Sequence, residues 1–157
     1  MRFRFQMILL SALLVGCATT VGPLDSPGIN RILAESIGID ESDIMTKSQA
    51  TWYASYLDKA PPKNLYSNPD PGITPDGVLI CTNIGLFFQV WRKEVDSYKT
   101  LFSLRYSDIS TVELLNNGLV LYFGHRGGKT YVLQVGGSLV DKHKTRQIYD
   151  LVKERVH

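Results

Sequence analysis

Between residues 77 and 157, apolar and polar positions alternate in short runs broken by turn residues, the signature of strands with one buried face. The runs fall at 78–82, 86–92, 100–106, 111–115, 119–123 and 130–135. Phe102, Leu104 and Tyr106 share one face of the third run, with Leu101, Ser103 and Arg105 on the other. Leu119, Leu121 and Phe123 line one side of the fifth, and Tyr131, Leu133 and Val135 one side of the sixth. A polar connection is expected at 93–98 and a bend at 107–110. Asn83-Ile84-Gly85, Asn116-Asn117-Gly118 and Arg126-Gly127-Gly128 supply turns, and Asn-Gly is a strong hairpin signal because both residues tolerate positive φ. The period then changes: Val140, Ile148, Leu151, Val152 and Val156 cover one broad side of a helix. Ser138 and Asp141 form a cap-like pair before it. Lys144 and Arg155 fall inside the apolar arc, placed to snorkel from its edges. The predicted class is α+β, a mainly antiparallel barrel or sandwich capped by a C-terminal helix.

The front of the chain reads differently. Ser26-Pro27 predicts a helix start, Ile29, Ile32 and Leu33 follow at helical spacing, and Gly38 is the expected stop. Trp52, Tyr53, Tyr56 and Leu57 predict a second helix over 47–59 with an aromatic stripe. That stripe suits either packing against the following domain, the commoner use, or a partner surface. Residues 61–75 hold five of the seven prolines, so this stretch is a linker or an extended strap and not a regular element. The expected organisation is 1–16, 17–60 with a tether and short helices, a Pro-rich linker at 61–76, and the strand-rich domain at 77–157.

At the N-terminus, Arg2 and Arg4 precede an apolar run over 7–15, then Gly16 and Cys17. This is the layout of a secretory signal, and the run is well short of the roughly 20 residues that span a bilayer. Leu14-Val15-Gly16-Cys17 resembles the lipobox of bacterial lipoproteins. The resemblance implies removal of 1–16, a diacylglycerol thioether on Cys17, further acylation by fatty acids such as palmitate, and stable membrane attachment. Ala18 stands where an Asp would retain such a protein in the inner membrane, which implies the periplasmic face of the outer membrane in a Gram-negative cell envelope.

A second resemblance covers 77–157. Leu79-Ile80-Cys81-Thr82-Asn83-Ile84-Gly85-Leu86 looks like the opening of GRAM-like and bacterial pleckstrin-homology-like (PH-like) domains. Leu104-Arg105-Tyr106-Ser107-Asp108-Ile109 followed by Val112 is similar to their "Ile-x-Tyr-x-Asp-Ile-x-x-Val" segment. The resemblance implies a PH-like fold more securely than an activity. Phosphoinositide binders place basic residues around the first hairpin, and here that hairpin, Thr82 to Gly85, has none.

Charge and chemistry narrow the function. The chain carries 17 Lys and Arg against 15 Asp and Glu, and removal of Arg2 and Arg4 with the signal balances them. Residues 18–76 are acidic, with 4 basic and 8 acidic side chains, and 77–157 are basic, with 11 and 7. That excess is too small to argue for nucleic acid. With Cys17 acylated, Cys81 is a lone thiol, read as a small buried hydrophobe or as a reactive group. His125, His143 and His157 have no metal-ligand spacing, no nucleophile elbow occurs, and Arg126-Gly127-Gly128-Lys129 lacks phosphate-loop spacing. No catalytic residue, metal or cofactor is therefore assigned. On the last helix, Lys142, Arg146 and Lys153 fall within about 40° of one another with Tyr149 beside them. This stripe suits an anionic surface or acidic partner, or a plain solvated face with Arg146 paired to Asp150. The expected function is a non-enzymatic, lipid-anchored interaction module. The alternative is a binder or carrier of a small apolar or lipid ligand, against which the bulky Phe87, Phe88, Trp91 and Phe123 argue by filling the core.

Overall fold

A computed structural model describes residues 21–59, 74–137 and 139–156. The signal, Cys17, most of the Pro-rich stretch, Ser138 and His157 lie outside them. Seven strands form one antiparallel sheet: β1 Ile44–Trp52, β2 Asp76–Thr82, β3 Gly85–Arg92, β4 Ser97–Arg105, β5 Ile109–Leu115, β6 Val120–His125 and β7 Thr130–Val135. Helix α1, Ile29–Ile37, precedes them and α2, Lys142–Lys153, follows. The strand order is β4-β3-β2-β1-β7-β6-β5. The α+β class with a C-terminal helix is thus present.

The helix expected over 47–59 is not. Residues 44–52 are a strand, and only a single 3₁₀ turn, Ala54–Tyr56, follows. The aromatic spacing fits a helix, but β-branched Ile44, Thr46 and Thr51 favour extended backbone. Pairing on both sides decides the matter, since β1 meets β2 from Ile44↔Thr82 to Thr51↔Asp76 and β7 from Ala50↔Val135 to Trp52↔Leu133. Tertiary pairing of this kind overrides a weak local preference. The sheet therefore begins at Ile44, not at Gly77, and β1 is the strand that joins its two halves.

The main core lies on one face of the sheet and draws Leu79, Cys81, Leu86, Phe88 and Leu104 from β2–β4, Leu121, Phe123, Leu133 and Val135 from β6–β7, and Ile148 and Val152 from α2. A second cluster lies on the opposite face of β2–β4, where Val21, Ile29 and Leu33 pack on Val78, Ile80 and Tyr98. Both faces of β2 are thus buried, which is why Val78-Leu79-Ile80-Cys81 is continuously apolar instead of alternating. A third cluster puts Tyr56 against Val120 and Val132. At Gly77 a Cβ would sit 2.2 Å from the Gln89 carbonyl oxygen, so the β2–β3 approach there requires glycine.

The element ends follow local chemistry. Helix α1 stops at Gly38, whose left-handed φ of 80° lets its N–H reach the Ala34 carbonyl at 2.8 Å. It starts at Ile29 after Gly28, two residues beyond the Ser26-Pro27 signal. Helix α2 is capped by Asp141, whose carboxylate accepts the Lys144 N–H at 2.8 Å. Asn116 and Asn117, with φ of 49° and 56°, make the β5–β6 hairpin turn that their sequence predicts. The polar connection after β3 is shorter than expected, a 3₁₀ turn at Lys93–Val95 and then Asp96, so β4 begins at Ser97.

Candidate functional site

Helix α2 has two unlike sides. Thr145, Ile148 and Val152 are fully buried against the sheet. Lys144 and Arg155 are half-buried at the edges of that side, and Arg155 donates to the Leu151 carbonyl at 2.9 Å with its guanidinium 5.9 Å from the Tyr106 ring. On the outer side Lys142, Arg146 and Lys153 are exposed. The Arg146 guanidinium carbon and the Lys153 ammonium nitrogen each lie 5.3 Å from the Tyr149 ring centroid. Arg146 also pairs with Asp150 at 3.2 Å. Exposed cation–π contacts contribute about 0.5–1 kcal/mol and exposed i,i+4 ion pairs about 0.3–0.5 kcal/mol. Such contacts pre-position the side chains without holding the fold together, and they leave a cationic rim around a half-buried aromatic ring.

The four residues of the aromatic stripe do not share one surface. Trp52 enters the main core, with its ring centroid 4.9 Å from Phe102 and 6.1 Å from Phe88. Leu57 packs on the same core, and its carbonyl accepts the Thr130 N–H at 2.8 Å. Tyr53 and Tyr56 go to the third cluster, and the Tyr53 hydroxyl donates to Gln134 Oε1 at 3.0 Å. The strand ends at Trp52 and the 3₁₀ turn follows, so the four side chains do not keep the common face that a helix would give them.

The basic turn after β6 is a hairpin. His125 N–H donates to the Lys129 carbonyl at 2.8 Å, and His125 Nδ1 accepts the Gly127 N–H at 2.8 Å. Among the described residues, no three His, Cys, Asp or Glu side chains gather as a metal site, and no helix is long and apolar enough to cross a membrane. Phe88 and Phe123 are fully buried in the main core, whereas Phe87 and Trp91 belong to the cluster on the opposite face. A surface cleft of about 690 Å³ runs between Val21–Pro27 and Lys47–Gln49, and one of about 270 Å³ lies beside Ile37–Ile39 and Ile84. Neither includes a residue of the α2 stripe.

Sequence reasoning missed Gln89, a fully buried amide that donates to Thr100 Oγ1 at 3.1 Å and to Ser36 Oγ, tying α1 to the sheet. Its signal is one polar residue inside Phe87-Phe88-Gln89-Val90.

Cys81 is fully buried, and burial pushes its thiol up from 9.0 to about 12, with Lys144 and Arg155 offsetting part of the shift. Burial raises Tyr98 in the same direction, from 10.0 to about 12. The unfolded chain releases these protons before the folded chain does, so stability should be complete below about pH 9 and fall as pH rises toward about 12. Urea midpoints should therefore drop between about pH 9 and about pH 12, and less steeply in Cys81→Ala. A flat profile in the unsubstituted chain would contradict this account of the core.

No family model matches the chain, and no curated protein matches it.

Proposed function

We propose that this chain is a lipid-anchored envelope lipoprotein and a non-enzymatic interaction module. Cys17 carries the acyl anchor, and the outer face of α2 meets an acidic protein partner. The observation that carries the interaction reading is the face itself: two exposed cations, each 5.3 Å from the Tyr149 ring, with Lys142 one turn before Arg146. Aromatic and arginine side chains dominate binding energy at protein interfaces, and a cationic rim steers an acidic partner into contact. A PH-like architecture is supported by the strand order with α2 packed on the sheet, together with the Thr82-Asn83-Ile84-Gly85 turn and the Tyr106 to Val112 segment. Ala18 after the cysteine supports placement on the outer membrane where the cell has two membranes.

A photo-reactive side chain at Tyr149 tests the partner reading in cells. It should give a discrete protein adduct in the envelope, and a probe at Arg31, on α1, should not give the same adduct. Triple charge reversal (K142E, R146E, K153E) should abolish the adduct while leaving the fold intact by circular dichroism. An adduct of undiminished yield after reversal would remove the stripe from the interaction.

A further inference from the structure

We infer that the hairpin joining β3 to β4 rests on the lipid bilayer, with Val95 at its apex as the inserted residue; this inference rests on the proposed acylation of Cys17. The argument begins with where the chain becomes held. Val21 is 2% exposed, and its carbonyl accepts the Tyr98 hydroxyl at 3.0 Å. The backbone at Gly22 lies against Trp91 so closely that a Cβ there would come within 2.8 Å of the ring. Trp91 and Tyr98 face each other across β3 and β4, with ring centroids 4.9 Å apart, at the last turn of that hairpin. The chain is thus fastened to the end of the sheet that carries the tip at Arg92–Asp96.

Only residues 18–20 separate Cys17 from Val21. Fully extended, those four steps reach at most about 14 Å. An acylated Cys17 has its sulfur at the headgroup level, so the body cannot swing away, and the surface nearest Val21 stays against the bilayer. The β3–β4 tip lies at that end of the sheet, one residue beyond the Trp91 and Tyr98 pair that Val21 and Gly22 touch.

Its side chains suit the position. Val95 is 54% exposed at the apex of the turn. Arg92 and Lys93 are exposed on one side, and Glu94 and Asp96 balance them. The apolar apex, not net charge, therefore sets the contact. Trp91 and Tyr98 lie beneath it, packed in the second cluster, and hold the tip in place.

The C-terminal end of α2 lies at the other end of β3. Arg155 lies over Tyr106, whose hydroxyl donates to the Thr82 carbonyl at 2.8 Å, and Thr82 adjoins the β2–β3 turn at the opposite end of β3.

The test uses the full, membrane-extracted chain reconstituted into phosphatidylethanolamine–phosphatidylglycerol vesicles. An environment-sensitive dye is attached in Val95→Cys or, as a comparison, in Glu154→Cys; buried Cys81 is not labelled in the native protein. The anchored Val95 dye should show a blue-shifted emission and a several-fold slower quenching by dithionite than the Glu154 dye. Vesicle flotation is measured on the same samples. Flotation with equal emission and quenching at the two positions would overturn the hairpin contact while leaving the anchor in place. Failure of the unsubstituted chain to float would instead sink the acylation reading, and the hairpin contact with it.

Discussion

A fragment of residues 77–157 should fail to fold, although it holds six of the seven strands and the capping helix. It lacks β1, the strand between β2 and β7. Its removal opens two inner edges and leaves six register positions of β2, Gly77 to Thr82, without a partner. It also takes away fully buried Ala50 and the Trp52 ring that packs on Phe88, Phe102 and Tyr131. The outer face of β2 loses Val21, Ile29 and Leu33 and would expose Val78 and Ile80. Each buried polar group left without a partner costs about 1–3 kcal/mol, and each large side chain newly exposed about 1.5–3 kcal/mol. Several such losses exceed the roughly 5–15 kcal/mol that a domain of this size holds in reserve. Amide dispersion in a proton–nitrogen correlation spectrum and cooperative urea unfolding provide the check. The fragment should show neither, and a fragment of residues 21–157 should show both. Cooperative unfolding of the shorter piece would mean that β1 is dispensable.

Cys17→Ser should move the protein from the membrane to the soluble fraction and abolish palmitate incorporation. The expected effect is close to complete because the proposed attachment runs through a thioether that serine's hydroxyl does not form. Each buried acyl methylene contributes about 0.8 kcal/mol, so several chains hold firmly where one holds weakly. No helix among the described residues is long and apolar enough to cross a membrane. A single exposed valine at the β3–β4 apex contributes far less than an acyl chain and orients the body without retaining it. Carbonate-washed membranes and metabolic labelling read the result. A labelled, membrane-bound Cys17→Ser chain would end the lipoprotein reading.

The rear of the chain was legible from its pattern because each strand there has one wet face or a marked turn at its end. Phe102, Leu104 and Tyr106 are buried and Leu101, Ser103 and Arg105 exposed, as the alternation predicts. The Asn116-Asn117-Gly118 turn and the Ile148 and Val152 side of α2 follow in the same way. Cys81, open between a structural and a reactive role in the sequence, is buried in the core. The α2 stripe was legible because helical spacing places Lys142, Arg146, Tyr149 and Lys153 together without help from distant residues.

The front of the chain is less legible. Its aromatic spacing matched a helical period, yet residues 44–52 are a strand whose partners lie roughly 30 and 85 positions further on. Local periodicity set the strands, turns and closing helix of residues 77–157, since those elements depend on which neighbours alternate. Only the tertiary structure decided that β1 joins the two half-sheets, that α1 and Val21 bury the second face of β2, and that Trp52 and Tyr56 part to opposite clusters. The reason is that pairing and burial belong to contacts between segments far apart in the chain, and these outweigh the weak conformational preference of any one segment.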